Sequence, residues 1–295
     1  MAVNEILYAD NHGSANTSRG PSGIIWGKIP WNTWVADPSL GMTFFDDFTM
    51  VGNATMSSAY AGSIGQWSTY GYAGATINDH QTEGGVIRMA SDGDAEGFTM
   101  LGSAGAFRFL TTSTLALNQK MAFEARVARS TVVTDQIEFF VGLMAPTLAS
   151  GLPAVAQPIT ATDDTLMTAG DLFGFHCDSN TAVRGGPSEV AAAFVLTSGT
   201  INYPTNTTTM MASSGNSVLT GGTFVKLGWL FDPQAPSKRI TAPTARQTTG
   251  DIKPALLRFF INGLELPTFL TQDDIANATS GQAFPTAFMT PVLSV

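Results

Sequence analysis

The chain has 295 residues, 44% of them hydrophobic and only 13% charged. This balance excludes a disordered or fibrous chain and supplies enough apolar surface for a core that needs no metal or disulfide staple. Acidic residues number 23 against 14 Lys plus Arg, a net charge of −9, and the five lysines are scattered. Neither nucleic acid nor an anionic membrane surface is an expected partner for such a chain. No apolar run approaches the ~20 residues needed to span a bilayer.

The opening residues Met1 to Asp10 contain no basic stretch followed by an apolar one, so cytosolic synthesis is expected. A single cysteine, Cys177, agrees with a reducing compartment. The Asn-x-Ser/Thr triplets at Asn16, Asn53, Asn206 and Asn277 read as chance occurrences in that setting.

The first unit expected is an extended arm, residues 1–42. It is rich in Asn, Ser, Gly and Pro, yet holds Trp26, Trp31 and Trp34, three of the five tryptophans in the chain. Flexible tails lack large aromatics because they bury nothing; rings spaced among Pro and Gly suit a strap that anchors them in pockets. Those pockets lie either on a partner or on the main domain of the same chain.

Residues 43–295 are expected to form one β-sandwich. Short apolar runs separated by Gly, Pro, Asn, Asp and Thr clusters are the pattern of an all-β fold. A strand is expected at Phe44 to Phe48, and others around Gly85 to Ala90 and Phe107 to Thr111. In Phe123-Glu-Ala-Arg-Val-Ala-Arg129 the apolar residues Phe123, Ala125 and Val127 alternate with Glu124 and Arg126, as in a half-buried strand. Ile137 to Leu143 and Asp171 to His176 read as deeply buried strands, each interrupted by a glycine, Gly142 and Gly174, that marks a bulge or a close backbone approach. Strands follow at Ala192 to Leu196 and Val225 to Phe231. Asn262-Gly263 then predicts a two-residue hairpin turn within Arg258 to Leu266, and a last strand spans Thr290 to Val295. Three Thr/Ala/Pro/Ser-rich stretches, Ala145 to Gly170, Ser198 to Gly222 and Pro233 to Pro254, are either contact loops or hide short extra elements.

Catalytic equipment is sparse. The three histidines are His12, His80 and His176. His176 precedes Cys177, but neighbours on a strand point to opposite faces, which argues against a Cys/His active site. Asp135 and Glu138 are three apart and so lack the same-face spacing of a glycosidase carboxylate pair. Asp92, Asp94 and Glu96 place oxygen ligands at alternate positions, a weak cation candidate, but Ser103 stands where a calcium loop would carry its closing glutamate. No cofactor is expected. Trp67, Tyr70 and Tyr72 are either glycan-stacking rings or residues of a buried strand edge.

The succession of Phe44-Phe-Asp-Asp-Phe48, Phe123-Glu-Ala-Arg-Val127, Phe139-Phe-Val-Gly-Leu143, Phe173-Gly-Phe175, Val225-Lys-Leu-Gly-Trp229 and Phe259-Phe-Ile-Asn-Gly263 resembles the concanavalin A-like (laminin G-like) jelly roll. The aromatic arm and the Met289-Thr-Pro-Val-Leu-Ser-Val295 ending further resemble jelly-roll proteins of tailed-bacteriophage virions that decorate or cement the capsid. The resemblance implies a two-sheet antiparallel jelly-roll sandwich and a non-enzymatic structural protein on the capsid surface of a virion. Its expected partners are the major capsid protein and neighbouring copies of itself in a large assembly. A lectin-like tail or receptor-binding protein, with a glycan as partner, is the alternative.

Overall fold

The computed structural model describes residues 21–27, 44, 46, 48, 54–55, 60–64, 67–71, 75–79, 86–90, 98–102, 107–108, 120–130, 138–145, 171–177, 190–195, 219–244, 247–276 and 288–295. These hold sixteen strands and two short helices. The first part of the chain gives α1 (Gly23–Trp26), β1 (Ala54–Thr55), β2 (Tyr60–Ile64), β3 (Trp67–Gly71), β4 (Thr76–Asp79), β5 (Ile87–Ala90) and β6 (Phe98–Gly102). Next come β7 (Met121–Val127), β8 (Phe139–Met144), β9 (Leu172–Cys177), β10 (Ala191–Val195), β11 (Val225–Phe231), β12 (Ser237–Arg239) and β13 (Ile252–Pro254). The chain closes with β14 (Leu257–Ile261), β15 (Leu264–Leu270), α2 (Gln272–Ala276) and β16 (Thr290–Ser294). The protein is all-β, and the paired strands run antiparallel.

Two sheets carry the main core. One has seven strands in the order β10-β9-β8-β16-β6-β3-β2, the other four in the order β15-β14-β11-β7. Alternation decides what each contributes. From the larger sheet Phe139, Val141, Phe173 and Phe175 meet Leu227, Trp229, Phe231, Leu257 and Phe259 of the smaller one. Trp229 joins the layers: its ring stacks on Phe123 of its own sheet at 5.7 Å and takes Phe173 of the other edge-on at 5.1 Å. Such aromatic pairs add directional attraction to the burial of their area.

A smaller core lies against the same large sheet. Trp67 and Met100 pack with Ala75 and Ile77, and Leu293 and Val295 at the end of the chain touch both cores. The three-stranded sheet β1-β4-β5 contributes Ile77, Ile87 and Met89 to it. The remaining ladder, β12 with β13, falls inside the stretch from Pro233 to Pro254, so that stretch hides two strands instead of forming one long loop. Most of 145–170 and 198–218 lies outside the described residues.

The hairpin expected at Asn262-Gly263 is present, joining β14 to β15 with φ of 49° and 73° at the two turn residues. Both angles are positive, as a type I′ turn needs, and Asn followed by Gly tolerates them best. Gly142 and Gly174 form a close approach: they stand opposite each other in the β8–β9 ladder, and a β-carbon on Gly142 would sit 2.5 Å from the Gly174 Cα.

Of the strand expected at Phe44 to Phe48, the described residues 44, 46 and 48 join no ladder. Asp46 Oδ1 accepts the Phe48 backbone N–H at 2.7 Å and Phe48 takes a φ of 56°, a conformation incompatible with a ladder. Phe44 and Phe48 nevertheless face the smaller core, where both pack on Trp67.

Candidate functional site

The outer face of the four-stranded sheet carries an occupied seat. On β7, β11 and β14 the residues that alternate with the core are Glu124, Gly228, Leu230 and Phe260, and the register places Gly228 between Glu124 and Phe260. The glycine leaves a pit between larger neighbours. Ile25 of α1 fills it, fully buried, against Leu230 and Phe260, with Trp26 and Ala122 packed at the rim. A β-carbon on Gly228 would lie 2.5 Å from Ile25 Cδ1, so the pit exists only because this strand position has no side chain.

Polar groups fix the plug in that pit. Glu124 Oε2 accepts the Ser22 backbone N–H at 2.8 Å and the Trp26 indole N–H at 3.0 Å. A single turn shapes the segment, with Ser22 O accepting the N–H groups of Ile25 and Trp26 at 3.0 Å and Gly23 O accepting that of Gly27 at 2.9 Å. The carboxylate thus holds the residue just before the helix and the indole at its end, and not the helix's own first N–H groups. At the other edge the hairpin turn closes in, because a β-carbon on Gly263 would come within 3.1 Å of Ser22 Oγ.

Charge is arranged along the same face. Lys226, one same-face step from Gly228, is buried, and that burial pushes its amine below the usual lysine range. Nearby Glu124 pulls the value back up and Arg126 adds to the lowering. The Arg126 guanidinium lies over the Phe224 ring at 3.8 Å, and Arg258 and Lys238 both reach Glu265. The hairpin is tied to this row by a reciprocal pair: Asn262 Oδ1 accepts the Lys226 N–H and Lys226 O accepts the Asn262 N–H, both at 2.9 Å.

Two further polar clusters are buried. In the large sheet His176 Nε2 meets Glu138 Oε1 on the face away from the main core, while Cys177 points into that core and accepts Arg129 Nη1 at 3.3 Å. His176 and Cys177 thus point apart, as strand geometry requires, and the partner of each comes from elsewhere in the sequence. At the start of α2, Asp274 gathers the Thr271 N–H and hydroxyl, the Thr244 hydroxyl and the Gln247 amide within 2.6–2.8 Å. This is a helix cap that also fastens the segment after β12.

The residues singled out from sequence fall in three groups. Trp26 lies half-buried on its own subunit, held by Glu124, while Trp31 and Trp34 lie outside the described residues. Contact with the sandwich therefore begins inside the expected arm of residues 1–42. Trp67 is buried: Phe48 stacks on its ring at 5.6 Å, Phe44 meets it edge-on at 5.2 Å, and its indole N–H is taken by Asp46. Trp67 thus stands in a buried strand position. Tyr70 stands on β3, and Tyr72 lies outside the described residues, as do Asp92, Asp94 and Glu96. Among the described residues no group of three or more His, Cys, Asp or Glu could hold a metal, and no helix is long and apolar enough to cross a membrane.

The seat itself has no local sequence signature. Its one signal is Gly228, a glycine within a strand of larger side chains, which implies that something approaches the backbone there. No protein-family model matches the chain, and no curated protein matches its sequence.

Proposed function

We propose that the chain is a non-enzymatic structural protein of a virion, a concanavalin A-like jelly roll that binds a capsid shell through its aromatic arm. The observation that carries this reading is the fixed root of the arm. Ile25 is locked in the Gly228 pit and Trp26 is hydrogen-bonded to Glu124, so the following sequence, with Trp31 and Trp34, starts from a defined place on the sandwich. A strap anchored at one end loses less freedom when its other rings bind, and preorganisation of this kind strengthens adhesion without adding contacts. Two antiparallel sheets sharing one core, with β16 inserted between β8 and β6, support the jelly-roll assignment.

In this reading Trp26 is the root of the arm, and Trp31 and Trp34 are its adhesive rings. Each ring buried at a junction contributes about 1.5–3 kcal/mol before ordering is counted. Removal of residues 1–42 would also uncover Leu230 and Phe260, so substitution is the cleaner test. The full chain carrying Trp31→Ala and Trp34→Ala, sedimented with empty shells that lack this protein, should remain in the supernatant while the wild type pellets. Unchanged pelleting rejects the arm as the adhesive element. Saturable binding of one sugar class on a glycan array, with no shell binding, would replace this function by the lectin-like one.

A further inference from the structure

We infer that the Gly228 pit is an exchangeable socket, and that Ser22 to Trp26 of a second copy of this chain docks there in the pose its own segment takes. The inference rests on the adhesive reading of the arm and names its partner surface. Three observations carry it.

First, the plug is complete in itself. Its turn is closed by its own backbone bonds, and everything it needs from the sandwich is supplied by one face: Glu124 Oε2 for two N–H donors, the Gly228 floor, and the Leu230 and Phe260 walls. Nothing in those contacts depends on which chain the plug comes from.

Second, the plug and the body are joined by a long connection. Between Gly27 and Phe44, which packs on Trp67, lie sixteen residues, 28 to 43. Extended, these reach up to roughly 55 Å, comparable to the ~50 Å width of a domain of this length. A neighbour on a lattice is therefore within range. Exchange of an identical segment between copies is a low-cost route to association because no new interface has to be made.

Third, the balance between the two arrangements follows from concentration. Because the plug is covalently joined to its own socket, docking within one chain does not weaken on dilution, so a dilute chain closes on itself. Copies crowded on a shell present neighbouring plugs at high local concentration, and exchange then competes. The socket thus links copies in proportion to their local concentration, most of all where they are assembled side by side.

Disulfide trapping tests this directly. The Cβ of a residue at Gly263 would stand 3.4 Å from Ser22 Cβ, close to the ~3.8 Å usual for a disulfide. A full chain carrying both Ser22→Cys and Gly263→Cys, oxidised with glutathione disulfide at low concentration, should close within one chain. A mixture of the two single variants should give a covalent heterodimer whose yield rises with concentration and falls at least tenfold when Ile25→Asp is added to the Ser22→Cys chain. A double variant that closes on itself while the mixture yields no heterodimer at any concentration overturns the inference, and so does a yield indifferent to Ile25→Asp.

Because Gly263 has a positive φ, a second experiment leaves the hairpin intact. A chain with a spoiled plug, Ile25→Asp, is mixed with a chain with a blocked socket, Gly228→Val. Light scattering should report a complex of two 31.0 kDa chains in the mixture and single chains in each separate sample; single chains in the mixture reject exchange. Socket exchange without shell binding would retire the capsid reading and keep the socket, whereas shell binding without exchange would do the reverse.

Discussion

Ile25 occupies the space that a side chain on Gly228 would need, its Cδ1 lying 2.5 Å from where the β-carbon would stand. Two residues 203 positions apart in sequence thereby define one another: the glycine in β11 leaves the space that Ile25 fills. Gly228→Val should expel the plug while leaving the sheet able to form, because valine suits a strand. Full burial of an isoleucine is worth about 1.5–3 kcal/mol, and the Glu124 bonds lost with it are offset by the freedom the undocked segment regains, so a loss of global stability of that order is expected. Urea midpoints together with a red shift in Trp26 emission measure it; an unshifted spectrum contradicts the pairing.

Glu124 holds the backbone of Ser22 and the indole of Trp26 on the same carboxylate oxygen. Hydrogen bonds to a charged group contribute about 1.5–3 kcal/mol. Glu124→Ala should therefore release the plug at least tenfold more often than the wild type does. Trypsin cleavage after Lys28, two residues beyond Trp26, reports the release, and an unaltered cleavage rate would show that Ile25 alone secures the seat.

Much of the sandwich was legible because its signals are local. Alternation along Phe123 to Val127 identifies β7, and Asn262-Gly263 identifies the β14–β15 hairpin, since both depend on residues that are neighbours in sequence. Strand β2 escaped notice because Tyr60-Ala-Gly-Ser-Ile64 is short and rich in small residues, and Trp67-Ser-Thr-Tyr-Gly71 left a strand edge as only one of two readings; tertiary pairing overrides such weak preferences. Phe44 to Phe48 misled in the opposite sense: Phe44 and Phe48 pack on Trp67, while Asp46 takes the Phe48 N–H and Phe48 has a positive φ, which a ladder does not accommodate. The seat was beyond reach, because Ser22 and Glu124 are 102 positions apart and no periodicity links them.

The Gly142 and Gly174 pair fixes how closely β8 and β9 approach. A β-carbon on Gly174 would lie 2.7 Å from the Gly142 Cα, and Phe140 also crowds the site. Backbone cannot retreat as a flexible side chain can, so Gly174→Ala should destabilise by about 3 kcal/mol or more. The expected result is loss of the cooperative thermal transition, or a drop in melting temperature of several degrees. A variant that melts like the wild type would show that this ladder has slack.

Asp274 accepts four hydrogen bonds, two from Thr271 and one each from Thr244 and Gln247. Asp274→Ala leaves those donors buried and unmatched, and each such group costs about 1–3 kcal/mol unless water enters. With solvent relief at the half-buried Gln247, a net loss of about 2–4 kcal/mol is expected. Asp274→Asn keeps the shape, retains part of the acceptor set and should lose less. Equal urea midpoints for the two variants would rule out hydrogen bonding as the reason this carboxylate is buried.

Lys226 provides a pH test of the charged row beside the seat. Burial, the leading cause, holds its amine below the ordinary lysine value of 10.5, with Arg126 acting in the same direction and Glu124 against it. The folded chain therefore gives up this proton at lower pH than the unfolded chain does. Between the two values the unfolded chain holds more protons, so this residue makes stability rise with pH there, up to about 10.5, and contributes no slope below the folded value. Lys226→Met keeps the buried stem and removes the titration. The stability of the wild type relative to that variant should accordingly climb as urea unfolding is repeated from neutral toward pH 10.5. A difference that stays flat or falls across that window would mean that the ammonium is solvated in the fold, and that Glu124 is committed to it more than to the plug.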